Sequence, residues 1–161
     1  MTQIERYPSD FASFSDVVAV DGPGRWLHVS GQVGMDADQQ VEGDLAQQTH
    51  ATLDHIERVL ARAGADLSHV VRITVYLTSL DAYGDFSRVR AERFGEHLPA
   101  SAAVQVAGLL LGALVEIDAV AFVPADDFSM IHVPGGASTT SSAVVAATVT
   151  RSRMLASCCR S

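Results

Sequence analysis

The sequence contains no lysine, and all eleven of its basic residues are arginine. This absence excludes every mechanism in which a lysine of the protein forms a Schiff base with a carbonyl substrate or with pyridoxal phosphate. Acidic residues number nineteen, which leaves a formal net charge of −8. Because nucleic-acid binding requires a basic surface, this charge argues against a nucleic-acid partner.

Cysteine is almost absent as well. The two cysteines, Cys158 and Cys159, are adjacent, so they can form neither a disulfide framework for the domain nor a complete zinc cluster. His50 and His55 are five residues apart, which differs from the i,i+4 spacing of a helical metal pair. P-loop and GxGxxG motifs are also missing. We therefore expect no metal and no other cofactor.

Long apolar runs are missing too, since no stretch approaches the 18 residues of a membrane span. Residues 1–11 lack the apolar segment of a signal peptide, and we expect a cytoplasmic protein with no membrane partner. Hydrophobic residues nevertheless make up 48% of the 161 residues. This length and composition suit one domain that buries its own core.

The first half of the chain predicts two strands and a helix. Val17–Val20 and Trp26–Val29 are apolar runs separated by DGPGR, which predicts a β-hairpin. Asp44 is a predicted N-cap for a helix that extends to about Ala63 with one apolar stripe, and Gly64 follows its end.

The second half predicts a strand over Val70–Leu77, a helix capped by Asp81 and closed by Gly95, and strands near 102–107 and 114–123. The order ββαβαββ predicts an α+β fold in which two helices cover one face of a mixed sheet. The other face then requires a partner, which predicts an oligomer. The side chains expected to face inward from the second helix are Tyr83, Phe86, Val89 and Phe94.

The composition changes from Pro124 onward, where Ser, Thr, Ala and Gly dominate without a helical or alternating apolar pattern. We expect one domain over 1–123 and a largely unstructured extension over 124–161. The AVVAATV segment of this extension is β-prone and could add to a sheet edge.

Glu116 is the strongest candidate for chemistry, because it lies in the middle of the apolar strand LVEIDAVAF. A carboxylate in such a run is costly unless it is hydrogen-bonded, solvated in a cleft or catalytic. The alternative is a sheet face that reaches solvent, where Glu116 and Asp118 would need no explanation.

Four segments, LHVSGQV, GDLAQQTHATLDHIERVLARAGADLSHVVRITVYLTSLDAY, RFGEHLPA and GALVEIDAVAF, together resemble the Rid family of reactive intermediate deaminases, also called YjgF proteins. The resemblance covers roughly residues 14–123. It implies a chorismate-mutase-like fold and a homotrimer whose clefts between subunits take a small-molecule substrate. It also implies hydrolysis of reactive enamines and imines to 2-keto acids and ammonia without a metal or cofactor. Endoribonuclease activity, also attached to the family, is disfavoured by the acidic charge.

The resemblance assigns roles to two matching residues. Glu116 matches the glutamate that holds or activates the attacking water, and Gly31 matches the glycine whose N–H meets the substrate carboxylate. Ser30, beside it, is assigned to substrate binding. A carboxylate with an N–H donor is the core of a hydrolytic site.

Two other segments depart from the family pattern. The segment P-A-R-S, whose arginine clamps the substrate carboxylate, reads PASA here, with Ser101 in place of the arginine. The segment G-P-Y-S-Q resembles SFSDV, which puts Phe14 in place of the tyrosine and Asp16 near the glutamine. We place all three residues in the substrate site.

A missing arginine predicts a shifted substrate preference, towards a neutral or cationic imine or enamine, since a bidentate clamp is worth about 2–5 kcal/mol. The alternative is a non-catalytic trimer that binds a small metabolite or a partner. A neighbouring arginine could also restore the clamp, and the candidates are Arg25, Arg72 and Arg88.

Overall fold

The computed structural model describes residues 2–11 and 13–130. The extension expected over 124–161 begins with the last residue of a strand and a short 3-10 turn, Ala125–Met130. Its remainder, with the AVVAATV segment, Cys158 and Cys159, lies outside the described residues. None of the helices described has both the length and the apolar character that crossing a membrane requires.

Two helices pack on one face of a six-stranded mixed sheet whose strand order is β1-β2-β5-β4-β6-β3. The α+β architecture expected from the sequence is therefore confirmed. The elements in chain order are β1 (Gln3–Pro8), β2 (Ser15–Asp21), β3 (Gly24–Gln32), α1 (Leu45–Arg62), β4 (Val70–Leu77), α2 (Tyr83–Phe94), β5 (Ala100–Gln105) and β6 (Val115–Pro124).

Helix α1 begins and ends where its sequence predicts. The Asp44 carboxylate accepts from the backbone N–H of Gln47, and the Gln47 side chain accepts from the backbone N–H of Asp44. This reciprocal capping box satisfies two amide groups that the helix itself leaves unpaired. Gly64, just beyond the helix, has φ +73°, a conformation that glycine adopts without steric cost. The apolar stripe of α1 is buried against the sheet.

Helix α2 differs from expectation at its N-terminus. It begins at Tyr83 with Ala82 in the capping position and no side-chain cap, so the prediction that Asp81 caps it is wrong. The backbone N–H of Asp81 instead donates to Ser79 Oγ within the preceding turn. Gly95 ends the helix as predicted, with φ +54°.

Strands β4, β5 and β6 form the centre of the sheet. Strand β4 runs parallel to β5 and antiparallel to β6. Because successive strand residues point to opposite faces, Val75 and Ile117 enter the core beneath the helices and are fully buried. Tyr76 and Glu116, which pair with each other, point to the opposite face. We call this second face the open face.

The predicted hairpin between the second and third strands is wrong. The two-residue link after Asp21 does join β2 to β3, but β2 pairs with β1 and touches β5, whereas β3 pairs with β6. The sequence reading also missed β1, over Gln3–Pro8, which supplies the antiparallel partner that β2 would otherwise have needed from β3.

The β1–β2 ribbon meets the rest of the sheet at one bridge, between Ser15 and Ala100. From there it passes the beginning of β4, where Arg6 Nη2 donates to the carbonyls of Ser68 and Val70 at 2.7 and 3.2 Å. The ribbon therefore crosses one end of the sheet, which allows β2 and β3 to follow each other closely in sequence without pairing.

Replacing Asp44 with alanine should lower the free energy of unfolding by about 1 kcal/mol, because it removes the side-chain acceptor of the capping box. Urea unfolding followed by circular dichroism measures this change. Asp10→Ala is the matched control, since Asp10 is exposed and its side chain makes no hydrogen bond within the described residues. Equal effects of the two substitutions would contradict the capping role.

Candidate functional site

Glu116 projects from β6 onto the open face of the sheet. Its neighbours along the strand, Val115 and Ile117, are fully buried on the opposite face. Glu116 itself is partly exposed, opposite Tyr76 of β4. The carboxylate therefore reaches solvent from the middle of an otherwise apolar strand, where it is available to a ligand.

Gly31 lies directly against this carboxylate. The pairing between β3 and β6 shifts register between Val29 and Gln32, so Ser30 and Gly31 bulge from the ladder. A Cβ added to Gly31 would overlap Glu116 Oε1 and lie 2.9 Å from its Cδ. Only a glycine permits this approach between backbone and carboxylate.

Asp118 and Tyr76 share the open face with Glu116. Tyr76 Oη donates to Asp118 Oδ2 at 3.0 Å. The hydrogen bond to Asp118 and the charge of that carboxylate raise the pKa of Tyr76, with burial and the charge of Glu116 adding to the effect. We call Ser30, Gly31, Tyr76, Glu116 and Asp118 the carboxylate half-site.

Ser101 occupies a different part of the molecule. It pairs with Ile73, whose side chain lies in the core, so Ser101 faces the helices and not the open face. Its hydroxyl accepts a hydrogen bond from Arg90 Nη1 at 2.8 Å. The position that lacks an arginine in the sequence is therefore contacted by a guanidinium from α2.

Arg90 is surrounded by hydroxyl groups and aromatic rings. Its Nη2 donates to Ser13 Oγ at 2.6 Å and to Tyr83 Oη at 3.3 Å. The guanidinium carbon lies 5.1 Å from the ring centroid of Phe14 and 5.0 Å from that of Phe86. We call Ser13, Phe14, Tyr83, Arg90 and Ser101 the arginine half-site.

Arg90 is 1% exposed, yet it forms no ion pair with any acidic side chain of the described residues. Its Nε is buried without a hydrogen-bond partner there. A buried charge without a counter-charge is costly, and the ring faces around it offset part of that cost, each contributing about 2 kcal/mol when desolvated. The arginine half-site therefore has an uncompensated positive charge.

Two hydrogen bonds of Ser15 hold the beginning of β2 beside the segment that leads into β5 and Ser101. The backbone N–H of Ser15 donates to the carbonyl of Pro99 at 2.9 Å, and its Oγ donates to the carbonyl of Leu98 at 2.7 Å. These contacts bring Phe14, the preceding residue, beside the guanidinium of Arg90. Asp16, also expected in the site, is exposed at the register shift between β1 and β2.

The three arginines named as possible replacements for the clamp lie elsewhere. Arg25 donates to the carbonyl of Ala63. Arg88 is exposed on α2, 3.8 Å from Asp85. Arg72, exposed on β4, pairs with Ala100 and therefore lies on the face opposite Ser101. The guanidinium that donates to Ser101 is that of Arg90 instead.

Sequence reasoning missed Arg90, although a signal for it exists. Arg90 follows Phe86 by four residues and precedes Phe94 by four, so it belongs to the buried stripe of α2. A charged residue within an apolar stripe is rarely buried without a specific reason. The inward-facing set expected for this helix should have included it.

The two half-sites lie on opposite faces of one sheet. Ser101 points towards the helices from β5, Glu116 points to the open face from β6, and β4 separates the two strands. A single chain therefore does not bring them together around one ligand. No group of three metal-binding side chains occurs within the described ranges.

Comparison with known proteins places this chain in a family. A family model described as Endoribonuclease L-PSP matches residues 5–123. The chain is 35% identical over 120 residues to a RutC family protein of Pyrococcus abyssi, covering 73% of this chain and 92% of that protein. It is 37% identical over 116 residues to the 2-iminobutanoate/2-iminopropanoate deaminase of Rattus norvegicus, covering 71% and 82%.

Solved structures agree with these matches. The crystal structure of a Yersinia pestis protein of unknown function from the conserved Rid family superposes with a TM-score of 0.66 at 30% identity. The match covers 76% of this chain and 98% of that one. Sequence, fold and family model therefore agree, and the chain belongs to the Rid family, also called YjgF.

Proposed function

We propose that this protein hydrolyses reactive imines and enamines to a carbonyl compound and ammonia, with Glu116 as the acid–base group. The observation that carries the proposal is the Glu116 carboxylate, held on the open face against the backbone of Gly31. The identity to a named imine deaminase supports the same reaction class.

The chemistry requires one carboxylate and one water. Glu116 accepts a proton from water as the water oxygen attacks the carbon of the C=N bond. The imine reacts in its protonated, iminium form, so this attack gives a neutral carbinolamine. Glu116 then returns the proton to nitrogen, the C–N bond breaks to release ammonia, and the hydroxyl proton passes to Glu116 and on to solvent as C=O forms. The enamine form reaches the same iminium by taking a proton from solvent at carbon. We assign to the backbone N–H of Gly31 the orientation of an anionic group of the substrate, as the family resemblance implies.

We place the reaction in clefts between the subunits of a homotrimer. Because one chain separates its half-sites across the sheet, a cleft that uses both must combine the carboxylate half-site of one copy with the arginine half-site of the next. Such a head-to-tail contact closes into a ring. The open face that the helices leave uncovered is the surface available for this assembly.

The substrate preference should be shifted from that of a deaminase with a direct arginine clamp. Ser101 offers one hydroxyl where the clamp would make two parallel charge-assisted hydrogen bonds. Imines of 2-keto acids should therefore be favoured less strongly over neutral imines. The acidic net charge of −8 gives no support to RNA as a substrate.

Glu116→Gln should lower kcat for imine hydrolysis by about 100-fold or more, because the amide cannot accept the proton of water. The measurement is ammonia release from 2-aminoacrylate and 2-iminobutanoate generated in solution. Glu92→Gln, at an exposed position of α2, is the matched control. A fully active Glu116→Gln variant would contradict the proposal. A wild-type protein that binds ligand but turns over no imine above buffer would favour the non-catalytic binding trimer.

Gly31→Ala should reduce turnover to a similar extent, since its methyl group would overlap the Glu116 carboxylate and displace it. Gly84→Ala is the control, because a Cβ at Gly84 in α2 meets no atom within 4 Å. Steady-state kinetics of both variants, with circular dichroism to verify folding, provide the comparison. Unchanged kcat in a folded Gly31→Ala variant would show that the approach to Glu116 is not needed for the reaction.

Subunit mixing tests the shared cleft. Glu116→Gln and Ser101→Phe should each be inactive alone, the second because its ring fills the space in front of Arg90. Any mixed trimer then contains one intact cleft, so co-refolded variants should regain up to about one third of wild-type activity. Native mass spectrometry identifies the mixed trimers. Mixed trimers without regained activity, or a protein that is not trimeric, would refute the shared cleft.

A further inference from the structure

We infer that Arg90 is a positioning residue that gives the cleft a preference for an anionic substrate group, because its guanidinium turns the hydroxyls of Ser101 and Tyr83 into donors aimed at a carboxylate. This inference rests on the proposed function, since it names the part of the substrate that the arginine half-site binds. The structure assigns this role to a residue that does not itself contact the ligand.

The hydroxyl groups of Ser101 and Tyr83 can each both accept and donate a hydrogen bond. A hydroxyl group has one proton to donate and lone pairs to accept with. Arg90 donates to both Ser101 Oγ and Tyr83 Oη, so each uses its lone pairs towards the guanidinium. Neither hydroxyl donates to a protein acceptor within the described residues. Both side chains are partly exposed, which leaves their protons available to a ligand.

Ser13 shows the contrasting case. Its hydroxyl accepts from Arg90 Nη2 at 2.6 Å and from Ser87 Oγ at 2.9 Å, and the residue is buried. Ser13 therefore anchors the guanidinium from the inside. The partly exposed hydroxyls of the arginine half-site are those of Ser101 and Tyr83.

Space for a ligand adjoins Tyr83 and the part of β5 that follows Ser101. An open depression of about 370 Å³ is lined by Leu80, Tyr83 and Ala103. Ala103 lies two residues after Ser101 in β5 and shares its face of the sheet. The depression has room for a small imine, and we place its anionic end at the Tyr83 side, towards Ser101.

The charge of the site selects an anion. Arg90 is buried without an ion pair in the described part of the chain, so the wall formed by Ser101 and Tyr83 has a positive charge directly behind it. Hydrogen bonds to a charged group are stronger than those between neutral groups, and the guanidinium increases the donor strength of both hydroxyls. A carboxylate supplies the counter-charge that the described residues do not provide.

Isothermal titration calorimetry with two probes tests this inference on the full-length assembly. The probes are 2-oxobutanoate and its neutral analogue 2-oxobutanamide, which match in shape and differ in charge. The variants are Arg90→Met and the double variant Ser101→Ala with Tyr83→Phe. Arg88→Met is the control, because it removes an equal charge from an exposed position of the same helix.

Wild type and Arg88→Met should bind the anion about tenfold or more tightly than the amide. Arg90→Met should lose this ratio while its affinity for the amide stays within about threefold, an outcome that a purely structural arginine would not produce. The double variant, which keeps the guanidinium, should lose most of the ratio as well. If Arg90→Met does not fold, the double variant decides the question.

Equal ratios in wild type and in either folded variant would overturn the inference, as would a wild-type protein that does not distinguish the probes or binds neither. Hydrolysis is measured separately. A wild-type protein that turns over imines but binds the two probes equally well refutes only the role of Arg90. Intact preference without turnover refutes only the proposed reaction.

Discussion

Burying the guanidinium of Arg90 requires three segments of the chain to meet around it. The charge comes from α2, and its hydrogen-bond acceptors come from the loop that contains Ser13 and from Ser101 in β5. The aromatic faces of Phe14 and Phe86 close the remaining sides. Each contact compensates for water that the guanidinium has lost, so displacing any of these segments would leave a charge in an apolar interior. The helix, the loop and the strand are thereby fixed relative to one another.

The alternation of side chains along the strands imposes a second constraint. Residues that follow one another in β6 point to opposite faces, so Glu116 reaches the open face because Ile117 is needed in the core. The same rule turns Ser101 towards the helices, since it pairs with Ile73. A fold that must cover one sheet face with two helices therefore separates the carboxylate half-site from the arginine half-site. Under the proposed function, assembly of copies is what reunites them.

Local signals located most of the elements. Asp44, Gly64 and Gly95 marked helix ends by hydrogen bonds and backbone conformations that involve only neighbouring residues. Strand Val70–Leu77 was delimited by its alternating pattern. The errors concern partners. DGPGR does reverse the chain between β2 and β3, but β1 and β6 offered each strand another neighbour, and no local pattern shows which pairing wins.

The sequence by itself determined the α+β class, the family and the position of a carboxylate in the middle of a strand, because each depends on residue type and spacing along the chain. It also showed that the arginine of PASAAV is absent. Only the tertiary structure showed which side chain contacts Ser101. Arg90 is eleven residues away from Ser101 in sequence, and the two meet because α2 packs over β5. Tertiary packing likewise placed Gly31 against Glu116 and put the two half-sites on opposite faces, since such distances are set by how elements pack and not by their order.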